Sequence, residues 1–550
     1  MPPMTDGGFN LTTEAGKRVF LRDATGLVRE ISTADALAIN IIIANLVIGS
    51  VGLLVLPYTF PGVNLVGAVI VAAIASFSLA IVYWLFSVSM PRSGGDYIWN
   101  TRVLTPSLGF AANFSLTIWT IFYIAAYAGF VSNIGLSGFL TTVGTVYGNG
   151  GLSNLGNYFG TANGTFIVAT IVNITMAALV ARGLRVTLSV QRVLAIIAFI
   201  GTVAAIILVA VSTNAQFISA FSKYGNYTSV ISQGNSSGLF PTVTNWNQFI
   251  PTVLGTGFAA ETLIFFQYSA YAGGEIKNTR RSAPVALLGS LGILTIAVLI
   301  MAYGMSNVFG NQFLGAIYGL YYGGSSNYPL GSVPPSYVFF SGILAANNPA
   351  LLYLIGIGIT VWSLSIVPFL YLTMSRNVMA WSFDRLLPES LAKVNDKFHS
   401  PINAIIFAFI LSEAFLIPYT YVAQFVQFFA ASTAGLVIDF FVTAIAGIVF
   451  PMRKKLYEAS GISNKKVAGV PLITIAGIIA TIFIGLLLFG FFSNPGFLIY
   501  NPSSLTLSLI GYGVAFSLFI TGFVVYYLSK YLRNRQGIDI GLALKEIPPE

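Results

Sequence analysis

The sequence predicts an all-helical membrane protein with about twelve transmembrane helices. The chain has 550 residues, of which 56% are hydrophobic and only 8% are charged, and its mean hydropathy is +0.82. A soluble domain of ordinary composition carries about 25% charged residues. An apolar solvent removes that requirement, so the composition places the chain in a lipid bilayer.

Apolar runs define the individual helices. A helix needs about 20 apolar residues to cross the hydrocarbon of a bilayer. Runs of that length predict helices 1 to 12, in chain order, at residues 36–58, 62–90, 106–133, 165–181, 188–213, 249–274, 284–307, 348–375, 401–418, 421–450, 470–492 and 504–529.

The placement of positive charge supports this count. With the N-terminus inside, the gaps that face outward are residues 59–61, 134–164, 214–248, 308–347, 419–420 and 493–503. Of the 26 lysine and arginine residues, Lys223 alone falls in these gaps. A miscounted helix would have inverted every later loop and spoiled the separation. We therefore predict a multi-pass protein of the cytoplasmic membrane with both termini in the cytoplasm.

The concentration of lysine and arginine in the inward-facing segments also explains the net charge of +9. The basic residues follow the topology and the tails are suited to contact with lipid headgroups, so no nucleic-acid partner is expected. We expect one membrane domain, residues 36–530, between tails at 1–35 and 531–550. If helices 1–5 and 6–10 form two repeats, the repeats cover about 36–213 and 249–450. Helices 11 and 12, at about 470–529, are then additional.

The residue inventory excludes several classes of function. The chain has no cysteine, and its one histidine, His399, lies in a polar stretch. Thiolate metal sites, cysteine nucleophiles and histidine-based catalytic triads are therefore not expected. A Gly-x-x-x-x-Gly-Lys-Ser/Thr loop for nucleotide phosphates is missing, which disfavours an ATP-driven pump. We expect no enzyme, no cofactor and no metal centre.

Helices 1 and 6 carry residues that weaken a helix at membrane depth. Helix 1 has two glycines and a serine at residues 49–52, followed by Pro57; helix 6 has two glycines at residues 255–257 and the acid Glu261. These helices hold equivalent places in two five-helix repeats, whose odd helix number gives them opposite orientations. Paired interruptions of this kind indicate the substrate site of a transporter with inverted repeats. Packing of the small residues against a neighbouring helix remains the alternative.

A zwitterion fits such a site. A broken helix exposes N–H groups at the start of one half-helix and C=O groups at the end of the other. The N–H end attracts a carboxylate and the C=O end attracts an ammonium group. The main-chain groups of an amino acid are thus bound without any charged side chain.

Four segments resemble those of the amino acid–polyamine–organocation (APC) superfamily of permeases. They are Ile48-Gly49-Ser50-Val51-Gly52 in helix 1, Pro91-Arg92-Ser93-Gly94-Gly95-Asp96-Tyr97 before helix 3, Gly274 to Arg281 with Pro284 after helix 6, and Ser375-Arg376 through Pro388 with Ala392 to Asn395 after helix 8. The segments occur in order and at matching places in the topology, from helix 1 to helix 8.

The resemblance implies a five-plus-five inverted repeat with discontinuous helices 1 and 6, two extra helices, and transport by alternating access. In such permeases the substrate carboxylate meets N–H groups of the helix 1 break. The amine meets carbonyls before that break and in helix 6, and helix 3 faces the pocket. The residues implied are Val47, Ile48, Gly49, Ser50, Val51, Gly52, Trp119, Thr120, Tyr123, Glu261, Thr262, Ile264 and Phe265. Ser50, Val51 and Gly52 are assigned to the carboxylate, and Val47 or Ile48 to the amine.

The sequence departs from the family at three positions. Phe265 and Gln267 replace a glycine and an acid of the helix 6 break, which leaves residues 255–257 as an alternative break. Ala198 aligns with a lysine that many proton-coupled members carry in helix 5. The coupling ion, H⁺ or Na⁺, therefore remains open, as do exchange and uniport. Ser363 and Ser365 are candidate sodium ligands.

Ionisable groups inside a membrane are costly and usually serve function. Glu261 lies near the proposed break, where it is suited to contact a substrate cation or to hold a proton; a neutral or hydrogen-bonded structural acid is the alternative. For Glu413 and Asp439, in helices 9 and 10, we expect a structural role. For Glu275 and Asp35, near the cytoplasmic ends of their helices, we expect salt bridges with a lysine or an arginine.

The sequence thus predicts a secondary active transporter for an amino acid. A carrier of polyamines, nucleobases or other organic solutes on the same scaffold is the alternative within transport. A channel and a membrane-embedded enzyme or receptor remain alternatives from other classes, because a fold alone does not fix function.

Overall fold

The computed structural model describes residues 27–422 and 428–544, together with two short paired strands, Leu11–Thr12 and Arg18–Val19. It confirms the predicted fold class. Eleven helices in these ranges are long and apolar enough to cross a membrane. The twelfth, helix 6, is α-helical for only 15 residues before its backbone becomes irregular.

The transmembrane helices follow the predicted order. Their bounds are Thr33–Ala44 and Leu46–Thr59 (helices 1a and 1b), Leu65–Ser89 (2), Pro106–Phe130 with a π-helical turn Val131–Leu136 and Ser137–Val146 (3), Ala162–Ala181 (4), Leu184–Val211 (5), Phe249–Leu263 (6a), Thr279–Pro284, Val285–Gly289 (π), Ser290–Gly304, Met305–Gly310 (π) and Asn311–Tyr322 (7), Pro349–Phe383 (8), Ile402–Tyr421 (9), Phe428–Val449 (10), Leu472–Ser493 (11) and Leu505–Arg535 (12).

Shorter elements connect these helices. The α-helices are Asp96–Val103, Gly150–Gly160, Asn214–Phe221, Tyr227–Ser236, Tyr337–Leu344, Lys454–Ala459 and Ile540–Ala543; the 3-10 helices are Tyr268–Tyr271, Gly273–Glu275, Glu389–Ala392, Phe450–Met452 and Pro495–Phe497; a second strand pair is Lys466–Val467 with Val470–Pro471.

The three longest gaps expected to be outward loops, residues 134–164, 214–248 and 308–347, contain short helices. The turn-forming residues in these gaps act as N-caps. The Asn149, Asn226 and Ser336 side chains each accept a hydrogen bond from the backbone N–H three residues later. A side chain that satisfies an unpaired N–H group starts a helix even where the sequence is polar.

Several helices are longer than their apolar runs, and helices 3 and 8 show why. Helix 3 continues to Val146 because the hydroxyls of Thr141 and Thr142 donate to carbonyls one turn earlier, at 2.7 and 2.6 Å, so the helix backbone satisfies them. Helix 8 continues to Phe383 because its polar residue Arg376 is buried in an ion pair. Tyr421, the predicted start of helix 10, ends helix 9, and residues 423–427 lie outside the described residues.

Helices 1, 3 and 10 form the centre of the bundle. In their most apolar 18-residue windows, 83%, 89% and 78% of residues are buried, against 22% for helix 12 and 28% for helices 9 and 11. Because helices 9, 11 and 12 offer their surfaces to lipid, the polar side chains of the centre are the ones shielded from both lipid and water. The candidate site is therefore sought there.

Candidate functional site

Helix 1 is broken at a single residue, Asn45. Its φ of 57° is left-handed, a conformation that asparagine tolerates better than most residues. The Asn45 side-chain oxygen accepts hydrogen bonds from the N–H groups of Val47 (3.1 Å) and Ile48 (3.2 Å). Asn45 therefore both ends helix 1a and caps helix 1b.

This position corrects the sequence prediction. Ser50, Val51 and Gly52 lie inside helix 1b, so their N–H groups belong to the helix and not to the break. Gly49 and Gly52 instead allow helix 6a to approach. A Cβ atom at Gly49 would overlap the hydroxyl of Thr262, and one at Gly52 would lie 3.3 Å from the Phe258 carbonyl oxygen. The alternative of small-residue packing describes these two glycines correctly.

Helix 6 is broken where the family resemblance placed the break. Helix 6a ends at Leu263, and the backbone from Ile264 to Asn278 follows turns and short 3-10 helices. Phe265 and Gln267 lie in the first turn of this segment, which we name the helix 6 linker (residues 264–278). The alternative break at residues 255–257 is wrong, because both glycines lie within helix 6a.

Neighbouring elements hold the backbone of the helix 6 linker. The Asn40 side chain of helix 1a accepts from the Ser269 N–H at 2.8 Å, and the Gly94 N–H donates to the Tyr271 carbonyl at 2.9 Å. Ile31 accepts from the Lys277 N–H at 2.9 Å and donates to the Glu275 carbonyl at 3.0 Å. Irregular backbone at membrane depth requires such partners.

Helix 3 packs against the helix 6 linker and helix 10. The Thr120 hydroxyl lies 3.2 Å from the Tyr268 hydroxyl of the linker. The Tyr123 hydroxyl lies 2.5 Å from the Thr433 hydroxyl of helix 10. Trp119 packs against helix 10 at Gly435, where an added Cβ would overlap the indole nitrogen. Helix 3 thus contacts both the linker and helix 10 through residues that the sequence had singled out.

Several residues at the two breaks and on the adjoining helices carry buried polar atoms without a hydrogen-bond partner. Among the described residues, the buried atoms without a hydrogen-bond partner include Asn45 Nδ2, Trp119 Nε1, Thr262 Oγ1 and both side-chain polar atoms of Gln267. A buried polar group normally has a partner, and a native protein leaves few without one. We name these four residues the unpaired cluster, and their unused hydrogen-bonding capacity suits a polar ligand.

Glu261 stands on helix 6a beside this cluster. Its carboxylate approaches within 3.9 Å of the Cβ position of Gly52. Tyr123 and Tyr127 of helix 3 are close enough to interact with it electrostatically. Glu261 is half-buried, and within the described part of the chain no cationic side chain pairs with it. A carboxylate in this setting is suited to receive an ammonium group.

Phe265 and Ile264 complete the predicted set. The Phe265 ring lies 6.0 Å from that of Phe440 in helix 10 and 6.2 Å from that of Tyr268. Ile264 continues the last turn of helix 6a, its N–H donating to the Ala260 carbonyl at 2.8 Å. The structure therefore brings the predicted residues of helices 1, 3 and 6 into one region, although it moves the helix 1 break to Asn45.

The candidate ion-coupling residues have mixed surroundings. The Ser365 hydroxyl donates to the Val361 carbonyl at 2.7 Å, whereas the buried Ser363 hydroxyl has no partner among the described residues. Ala198 is buried on helix 5. Within the described residues, no three or more His, Cys, Asp or Glu side chains are grouped to hold a metal ion.

Charged side chains nearer the helix ends are paired. Arg376 binds Glu275 through two hydrogen bonds of 2.8 and 3.0 Å, and both side chains are buried. Arg192 binds Asp35 at 2.9 and 3.0 Å. The predictions that Glu275 and Asp35 form salt bridges are thus confirmed, with arginine partners.

Sequence reasoning missed Asn45, Tyr127 and the polar character of Gln267 at the break. An asparagine inside an apolar run was the available signal for the first, because this residue favours left-handed backbone and helix caps. The surroundings that single out Tyr127 and Gln267 come from distant parts of the chain, so no local pattern identifies these two residues.

Comparison with known proteins covers most of the chain. The family model for amino acid permeases matches residues 34–516. The branched-chain amino acid permease BcaP of Lactococcus lactis subsp. cremoris (strain MG1363) is 23% identical over 464 residues, which cover 82% of this chain and 88% of that protein.

Two further relatives have similar coverage. The branched-chain amino acid permease BcaP of Bacillus subtilis (strain 168) is 23% identical over 444 residues, covering 77% of this chain and 80% of that protein. An uncharacterized protein 399 of Sulfolobus islandicus rod-shaped virus 1 is 21% identical over 374 residues, covering 68% and 69%. The region matched by the family model contains helices 3, 6 and 10 and nearly all of helix 1.

Proposed function

The chain belongs to the amino acid permease family, and from this premise we propose that it is a secondary active transporter that carries its substrate by alternating access. Membership of the family makes it a membrane transporter of amino acids and not an enzyme. The proposal adds a place for the substrate: the region between Asn45, helix 6a and helix 3. The unpaired cluster is the observation that carries it.

The substrate carboxylate is proposed to bind at the start of helix 1b. The N–H groups of Val47 and Ile48 point to the break and are held by the Asn45 side chain. A carboxylate is a stronger acceptor than an amide oxygen, and the N-terminus of a helix favours negative charge. Binding therefore displaces the Asn45 side chain, while residues 49–52 position helix 1b against helix 6a.

The substrate ammonium group is proposed to face Glu261. This carboxylate is beside the break and has no cationic neighbour in the described residues. The hydroxyl of Thr262 and the carbonyls at the end of helix 6a, around Ile264, offer further acceptors. An uncompensated charge at this depth costs several kcal/mol, which an incoming cation would reduce.

The side chain of the substrate is proposed to be apolar and branched. Two relatives are named as branched-chain amino acid permeases. The rings of Phe265, Phe440 and Tyr123 and the indole of Trp119 provide apolar and aromatic surface near the breaks. Glu261 favours one second candidate, an organic amine or polyamine, because it offers a negative charge for a second cationic group.

The membrane placement is proposed from the charge pattern. Both termini are placed in the cytoplasm, with one membrane domain at residues 36–530 built from repeats at about 36–213 and 249–450 and helices 11 and 12 at about 470–529. Since the chain has no cysteine, a single introduced one reports its side directly. Lys223→Cys should react with an impermeant maleimide on intact cells, whereas Lys393→Cys should react after the membrane is opened. The reverse result would contradict the orientation.

Counterflow tests the function itself. Purified protein in liposomes loaded with unlabelled leucine should take up labelled leucine with saturation, and isoleucine and valine should compete. Competition by putrescine and not by these amino acids would favour the amine carrier. Flux that does not saturate would indicate a channel, and no flux of any amino acid or amine would contradict the proposal.

A further inference from the structure

Two carboxyl groups meet in the core of the protein, outside the residues assigned to the substrate. Asp96 begins the short helix between helices 2 and 3, and Asp439 lies in the middle of helix 10. Both side chains are fully buried. The two carboxyl groups are close enough to interact electrostatically, and one turn further along the same two helices the Asn100 side chain donates to the Thr443 hydroxyl at 2.8 Å.

The hydrogen bonds of the two acids differ sharply. Asp96 accepts three, each of 2.6 Å, from the hydroxyls of Tyr83 and Tyr271 and from the side-chain amide of Asn113. Neither carboxyl oxygen of Asp439 has a donor among the described residues. Hydrogen bonds from several donors stabilise the ionised form of a carboxyl group, and their absence destabilises it.

No positive charge compensates the pair in the described part of the chain. The titratable groups that face Asp439 are Asp96 and the hydroxyls of Tyr83, Tyr268 and Tyr271, contributed by helix 2 and the helix 6 linker. Two adjacent carboxylates in a dry interior repel each other strongly. Protonation of one of the two acids removes this repulsion, so we expect the pair to hold a proton. The three donors on Asp96 place that proton on Asp439.

The pair is connected to the helix 6 break. Tyr271, a donor to Asp96, lies in the helix 6 linker, and Tyr268 of the same linker meets Thr120 in the wall of the substrate site. A movement of the linker would change the number of donors on Asp96 and the access of water to Asp439. Both changes alter how strongly the pair holds its proton.

We propose that Asp439, paired with Asp96, is the proton-binding residue that couples amino acid transport to a proton gradient. The step forms and breaks only the O–H bond of Asp439, with water on either side of the membrane supplying and accepting the proton. This inference rests on the proposed function and answers the question of the coupling ion. It also replaces the structural role that the sequence suggested for Asp439.

The decisive test compares accumulation with exchange. In proteoliposomes that contain an internal pH dye, an inward proton gradient should drive wild-type protein to accumulate labelled leucine and should acidify the lumen as leucine enters. One proton per substrate gives about tenfold accumulation for each unit of pH gradient. Asp439→Asn should lose both responses and keep leucine counterflow near the wild-type rate.

Glu413→Gln is the matched control. Glu413 is another acid within the membrane, on helix 9, but its two oxygens accept from Asn173 at 2.8 Å and from Thr170 at 3.1 Å. This variant should keep proton-driven accumulation. Infrared spectroscopy adds a measurement that does not need an active variant. The wild-type spectrum at neutral pH should contain the band of a protonated carboxyl group, whose frequency shifts in heavy water.

The outcomes separate the inference from the function. Counterflow without any proton-driven accumulation by the wild type would overturn the inference alone, as would accumulation driven by sodium instead. Proton-driven accumulation that survives in Asp439→Asn would also overturn it. If Asp439→Asn does not fold, the infrared spectrum of the wild type decides: absence of the band of a protonated carboxyl group would overturn the inference. Absence of counterflow in the wild type would contradict the proposed function itself.

Discussion

Two buried polar regions of this protein differ in whether their hydrogen-bonding groups have partners. In the first region, which we name the paired cluster, Arg376 binds Glu275 and Arg102 binds Asp384 at 3.0 Å. All four side chains are about 1% exposed. In the unpaired cluster of Asn45, Trp119, Thr262 and Gln267, polar atoms are equally buried but lack partners within the described residues. Both regions adjoin the helix 6 linker or helix 6a.

The difference separates structural polarity from functional polarity. A buried charge that meets its full complement of partners fixes the arrangement of helices, and removing one partner is costly. A buried amide or hydroxyl without a partner lowers stability unless a ligand binds it. Substitutions in the paired cluster should therefore change stability, whereas those in the unpaired cluster should change transport.

The largest expected effect is the loss of a buried charge partner. Arg376→Ala should destabilise the protein by about 3–5 kcal/mol, because it leaves Glu275 buried without compensation. Thermal unfolding of the detergent-solubilised protein measures this. Arg185→Ala is the control, because the Arg185 side chain is 86% exposed and its ion pair with Glu30 is worth little. Equal midpoints for the two variants would remove the distinction between buried and surface pairs.

A larger residue at the helix 1b and helix 6a contact should have the next largest effect. Gly49→Leu should abolish leucine uptake and destabilise by about 1–3 kcal/mol, because the side chain must displace Thr262. Gly292→Leu in helix 7 is the control, since a Cβ there meets nothing within 4 Å. Transport at the wild-type rate by Gly49→Leu would argue strongly against a substrate site between these helices.

Removal of the cap at the helix 1 break should have a moderate effect. Asn45→Ala should cost about 1 kcal/mol of stability, since two N–H groups lose their acceptor. If the leucine carboxylate takes over those groups, leucine should raise the unfolding temperature of this variant more than that of the wild type. Asn149→Ala removes a cap from an outer helix and should show the stability loss without the larger leucine response. An unchanged leucine response in Asn45→Ala would place the carboxylate elsewhere.

The smallest effect on stability is expected at Thr262. Thr262→Val keeps the shape and removes a hydroxyl that has no protein partner among the described residues, so stability should stay the same or rise. The KM for leucine should increase about 2- to 10-fold, the value of one hydrogen bond to the substrate. Thr481→Val removes another unpartnered hydroxyl, in helix 11, and should leave KM unchanged. Equal KM values would exclude a contact between Thr262 and the substrate.

The helices themselves were predictable, because the bilayer requires long apolar runs and these are visible in any sequence. The observed bounds of helices 2 and 5, Leu65–Ser89 and Leu184–Val211, agree with the predicted ones to within a few residues. Helix 8 was predicted too short because Arg376 looks like an interfacial residue until its partner, 101 positions earlier in the chain, is known.

The site was less predictable because a break depends on local geometry and on remote contacts. The glycines at residues 49–52 were interpreted as the break, yet a glycine in a helix serves equally well for close packing. One left-handed residue, Asn45, makes the break instead. The pairing of Asp96 with Asp439 joins positions 343 apart and leaves no trace in either local sequence.

The main-chain hydrogen bonds between Ile31 and the helix 6 linker have a consequence for evolution. At this end of the molecule the two half-sites are joined through amide and carbonyl groups of Ile31, Glu275 and Lys277. Every amino acid except proline supplies these groups, so these main-chain hydrogen bonds tolerate almost any substitution. Substitutions near the substrate can therefore change specificity while the main-chain hydrogen bonds that join the start of helix 1 to the helix 6 linker are retained.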